Sequence, residues 1–115
     1  MGSKRLYKSV VVNDESELDN CKFYLDYYIL EKDIWADGFS VNTYGIEVCK
    51  HSNAENASKM EYRKIYDIFC TRRETEAAIE KLARNEVTPV GVLDVLESII
   101  GIDDVPFEES MVSSS

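Results

Sequence analysis

Apolar and polar positions alternate with a period of two through most of the chain and then change to helical spacing. Residues 5–12, 21–32, 41–51 and 60–70 each read as a strand. In the second, Phe23, Leu25, Tyr27 and Ile29 fall on one face and Tyr24, Asp26, Tyr28 and Leu30 on the other. That second face is half apolar, which marks the strand as central, with something besides helices over it. In the third strand Tyr44, Ile46 and Val48 face inward and Thr43, Glu47 and Cys49 outward. Leu6, Val10 and Val12 share one side of the first strand, against Tyr7 and Val11. The fourth strand has mixed faces, Tyr62, Tyr66 and Ile68 against Ile65 and Phe69, and alternation does not set its register. Asp37-Gly38 is a hairpin turn signal, and Gly45 in mid-strand points to a bulge or a close neighbour.

Helical spacing begins after Thr71 and Glu74, which stand three apart as a capping pair should. Ile79, Leu82 and Ala83 then recur on one face, predicting a helix over 72–85. A second helix is predicted over 89–100, with Thr88 as its cap and Pro89 at its first position. Val92, Leu93, Leu96, Ile99 and Ile100 form its apolar stripe, and Gly101 is its stop. Strands followed by helices define an α+β fold: a four-stranded antiparallel meander, then a C-terminal helical hairpin packed on one face. Residues 4–101 form a single domain, residues 1–3 are set aside, and 102–115 read as an acidic, mobile tail.

Tyr44-Gly45-Ile46-Glu47, Leu82 to Pro89, and Leu93-Asp94-Val95-Leu96-Glu97 together resemble a family of small bacterial proteins of unknown function. That family is found mainly in anaerobic spore-forming bacteria. The run Asn85-Glu86-Val87-Thr88-Pro89 is the most distinctive part of the likeness, which extends from the second strand to the second helix. The resemblance implies a shared fold and a bacterial, cytoplasmic origin. It brings no activity and no catalytic residues.

Composition narrows the function classes. The hydrophobic fraction of 44% and charged fraction of 30% are those of a folded globular chain. No apolar run approaches the roughly 20 residues that cross a bilayer, and Asn13-Asp14-Glu15 arrives too early for a signal peptide. A formal charge of -9 repels phosphate backbones and anionic lipid, so neither nucleic acid nor membrane is an expected partner. Cys21, Cys49 and Cys70 are odd in number and widely spaced, as in reduced cytoplasmic proteins.

Candidate chemistry is sparse, and no catalytic set, metal site or cofactor motif emerges. His51, where a strand meets a polar loop, reads as an exposed residue, since Cys49 beside it leaves a ligand set incomplete. Asp26, Glu47 and Asp67 sit in mid-strand on three successive strands and could converge on the face away from the helices. Such a group could bind a small ligand or a cation. Tyr24, Tyr28 and Leu30 would leave an apolar surface on the same face, and tyrosine suits contact surfaces. The leading expectation is a non-enzymatic interaction module, a homodimer through Tyr24, Tyr28 and Leu30. The ligand-binding carboxylate face is the alternative, and an acidic mimic of nucleic acid is a remoter one.

Overall fold

The computed structural model, which describes residues 2–14, 21–52, 61–100 and 107–111, is an antiparallel sheet with two helices on one side. The elements run β1 (Gly2–Asp14), β2 (Cys21–Ala36), β3 (Phe39–Ser52), β4 (Glu61–Phe69), α1 (Arg72–Arg84), α2 (Val92–Ile100) and β5 (Phe107–Met111). Strands follow in sequence order across the sheet, as the meander reading requires. Phe107–Met111 was expected in the tail but pairs with β4 as a fifth strand. Its short acidic run carries little strand signal of its own; what it answers is the row of backbone groups along the outer edge of β4.

Leu25, Tyr27 and Ile29 of β2, Ile46 and Val48 of β3, and Ile65 and Phe69 of β4 form the helix-side face. Ala78, Ile79, Leu82 and Ala83 of α1 pack on them, joined by Val87, Val92 and Leu96. The α1 start agrees with the sequence: Thr71 is extended, and its hydroxyl oxygen accepts the Glu74 N–H at 3.2 Å. Its end is a Schellman arrangement. Glu86 N–H donates to the Ala83 carbonyl at 3.1 Å and Val87 N–H to the Leu82 carbonyl at 3.0 Å. Glu86 holds the left-handed position (φ 51) that glycine usually fills.

The second helix starts later than its sequence signals suggest. Gly91 N–H donates to the Thr88 carbonyl at 3.1 Å, so Thr88 to Gly91 form a turn. Helical bonding begins when Val95 N–H reaches the Gly91 carbonyl at 3.2 Å. Pro89 is buried in this turn and is not the first helical residue. Of the predicted stripe only Val92 and Leu96 are fully buried; Leu93 and Ile100 pack against the core while partly exposed.

Two bulges decide which side chains share a face. One lies between Leu6 and Lys8, so Leu6 pairs with Tyr28 and faces away from the helices, while Val10 and Val12 face them. The expectation that Leu6, Val10 and Val12 share a side fails for that reason: an inserted residue reverses alternation beyond it. The other opposes Gly45 to Tyr66, Asp67 and Ile68, between the Tyr44–Phe69 and Ile46–Ile65 pairs. Asp67 is left-handed there (φ 56). A Cβ on Gly45 would stand 2.2 Å from the Ile65 carbonyl oxygen, so the close neighbour expected of this glycine is the bulged backbone. This sets the register of β4: Ile65 turns inward, and Tyr62, Lys64 and Tyr66 turn outward.

Asp37 (φ 52) and Gly38 (φ 82) close the β2–β3 hairpin as a turn with both central residues left-handed. β1 ends opposite Lys32 and β4 opposite Tyr44. The ribbon from Asp33 to Asn42 therefore extends past both neighbours, with Trp35 75% and Phe39 72% exposed near its tip.

Candidate functional site

The face of the sheet opposite the helices carries the candidate chemistry, and register arranges it in rungs. Val11, Tyr24 and His51 form one; Ser9, Asp26, Cys49 and Tyr62 the next. Leu6, Tyr28, Glu47 and Lys64 form the third, and Lys4, Leu30 and Gly45 the fourth.

The carboxylates named from sequence do share this face, but each has its own partner. Asp26 accepts from the Ser9 hydroxyl at 2.7 Å and lies 2.9 Å from His51 Nε2. Glu47, only 3% exposed, lies 3.1 Å from Lys4 Nζ. Asp67 accepts from the Thr43 hydroxyl, and Lys32 Nζ stands 4.0 Å away. Among the described residues no group of three or more His, Cys, Asp and Glu side chains is placed to hold a metal ion. The rung spacing separates the three carboxylates, and local cations offset their charge.

His51 is not the idle surface residue its sequence position suggests. Its ring stacks on Tyr24, with centroids 5.3 Å apart, and it is tied to Asp26. This is an Asp–His pair without an activated nucleophile. The Cys49 thiol donates to Glu47 at 3.3 Å, and burial together with that carboxylate pushes it up to about 12. A thiol so protonated is inert at neutral pH. Ser9, the nearby hydroxyl, spends its proton on Asp26.

The expected contact residues are partly withdrawn from solvent. Leu30 is 6% exposed and belongs to the buried set, so it adds nothing to an open patch. Tyr24 lies beneath His51, and Tyr28 lies beneath Lys4, whose ammonium is 4.7 Å from the ring centroid. The Glu47 carboxylate holds the Lys4 ammonium above its ordinary range. Where β1 covers β2, apolar exposure on this face comes instead from Leu6 and Val11, about half exposed, next to Tyr28 and Tyr24.

Sequence reasoning counts Lys64 only as a charge that neutralises the carboxylates of this face, and passes over Lys4 and Lys32. Lys4, Lys32 and Lys64 border a basin of about 450 Å³, whose wall and floor include Leu30, Thr43, Gly45, Tyr66 and Asp67. Outward parity could have put Lys32 on this face with Tyr28 and Leu30. The β1 bulge and the β4 register, both non-local, were needed for the other two.

The model of a family described as "Family of unknown function (DUF6514)" matches residues 7–101. No curated protein and no solved structure matches the chain.

Proposed function

The chain belongs to the DUF6514 family of unknown function, and we propose that it is a non-enzymatic interaction module that self-associates through the open face of its sheet. The observation that carries this reading is the apolar strip on that face, where half-exposed Leu6 and Val11 adjoin Tyr28 and Tyr24. Tyr62 and Tyr66 continue the strip on β4. Half-buried tyrosine is typical of contact surfaces, because the ring packs while the hydroxyl stays wet. Lysine ammoniums over Tyr28, Tyr62 and Tyr66 give the face a polar dressing that a monomer tolerates and a partner can displace. The charge of -9 opposes association, but at physiological salt its range is about 8 Å. The wide cysteine spacing and the family resemblance support a bacterial, cytoplasmic setting.

Sedimentation or light scattering across a dilution series at moderate salt tests the proposal. A dimer is expected that Tyr28→Asp or Leu6→Asp weakens. Wild-type protein that stays at 13.1 kDa up to high micromolar concentration overturns it.

A further inference from the structure

We propose that the β3 edge of the protruding ribbon, Phe39 to Thr43, pairs with the same edge of a second copy, the two strands running antiparallel about a two-fold axis at Val41. The contact is made by strand edges and not by the open face, so it goes beyond the self-association proposed above.

The edge is open, and its backbone direction is set by the turn. β3 reaches the turn at Asp37-Gly38, whereas β4 stops at Phe69, opposite Tyr44. Ala36 and Phe39 flank a two-residue turn and so form a hydrogen-bonded pair. The alternation that follows points the N–H and C=O of Ser40 and Asn42 away from β2. Tyr44 and Ile46, next in that alternation, are the residues that pair with β4. Strand edges left in this state are ordinarily guarded by lysine, proline or a bulge. Phe39-Ser40-Val41-Asn42-Thr43 has no charge and no proline, and it pairs with β2 residue by residue.

Register and charge single out a second copy as the occupant. With Val41 opposite Val41, Ser40 of each copy faces Asn42 of the other; both point outward, so each pair exchanges its hydrogen bonds. The same register carries Phe39, 72% exposed, to Thr43 across the seam and sets the two half-exposed Val41 side chains against each other. Where Thr43 faces Phe39 of the second copy, that copy turns away into its own hairpin, just before the edge is taken by β4. A longer free peptide would run on into β4. Each tip, with Asp37, thereby arrives where β4 of the other copy ends and the chain climbs through Arg72 and Arg73 into α1. Arg72 is bonded to Glu76 and Glu74 to Thr71, and exposed Arg73 is the cation that answers Asp37. A contact of this length is smaller than a standard interface, so trapping detects it better than mass does.

Oxidative cross-linking of the full chain, in a Cys21→Ser, Cys70→Ser background, tests the pairing. Opposed residues of a non-hydrogen-bonded antiparallel pair stand about 4.5 Å apart at Cα, within the roughly 4.4–6.8 Å that a disulfide spans. Val41→Cys should therefore give a covalent dimer under mild oxidation, and Ser40→Cys, offset from its copy, should not. Ser40→Pro deletes an outward N–H that the ribbon itself does not use. Added to Val41→Cys, it should abolish the covalent dimer while the melting temperature is kept; Asn42→Pro, which removes the other outward N–H, replaces it if Ser40→Pro unfolds. Equal cross-linking at the two positions, no cross-link with Val41→Cys, or a cross-link that survives proline would overturn the edge pairing. The measurement is repeated with Tyr28→Asp, which removes the face contact. The Val41→Cys dimer is expected to persist there, and its loss would assign the approach of the two copies to the face instead. Failure of the face reading and failure of the edge pairing are thus read apart.

Discussion

The Tyr27 hydroxyl, fully buried at the centre of β2, donates to the Val87 carbonyl at 2.8 Å. It joins the middle of the sheet to the segment between the two helices, where the backbone has left α1 and not yet entered α2. That segment is closed on itself by backbone hydrogen bonds, and the Tyr27 side chain ties it to the sheet.

Tyr27→Phe keeps the ring and removes the donor. A buried carbonyl left unpaired costs about 1–3 kcal/mol, and that is the loss expected in urea melts. An unchanged midpoint would mean that the carbonyl finds water or the layer shifts without penalty.

Gly45→Ala tests the closest approach in the sheet. A methyl at 2.2 Å from the Ile65 carbonyl oxygen meets backbone, which cannot rotate aside. The bulge must open, at a cost of about 3 kcal/mol or more. Neutral behaviour in thermal denaturation would show that the β4 bulge is not as described.

Glu86→Gly should do the reverse. Glu86 is exposed and left-handed at the end of α1, a conformation that costs a side-chain-bearing residue about 1 kcal/mol. Relief of that cost outweighs the added freedom of glycine in the unfolded chain, so a small rise in melting temperature is expected. A fall would place the helix end in a different geometry.

Stability should fail on the alkaline side. Burial raises the Cys49 thiol from 9.0 to about 12, and burial raises the Tyr27 and Tyr28 hydroxyls above 10.0. Lys4 is held above 10.5 by the Glu47 carboxylate beside it. In each case the folded value exceeds the unfolded one, so the unfolded chain gives up its proton first as pH rises. The stabilisation is complete below the unfolded values and is lost as pH climbs through the folded ones. The melting temperature should be insensitive to these groups near neutrality and decline from about pH 9, where unfolded Cys49 starts to ionise. Cys49→Ala should move the onset up by about one pH unit, to the tyrosine range. A melting temperature that holds to about pH 11 would contradict this.

Local signals settled a good part of this molecule. Thr71 with Glu74 marked the start of α1, Asp37-Gly38 marked the hairpin, and the alternation of Phe23 to Leu30 assigned the two faces of β2. Each depends on neighbours within about one turn or one pleat, so the order of residues contains it. Gly45 was readable as a crowded position, though not what crowded it. Alternation, however, holds only until a residue is inserted. The bulge before Lys8 turned Leu6 outward, and the one at Asp67 set the register of β4; neither is written in a period-two pattern. Pairing of β5 with β4 is likewise a property of the open edge it meets. The face opposite the helices was decided the same way. Lys4 meets Glu47 across two strand pairings, and Lys32 meets Asp67 where the sheet bulges. Which carboxylate is offset, and which ammonium faces the basin, follows from contacts between residues far apart in the chain, and only the folded sheet brings those residues together.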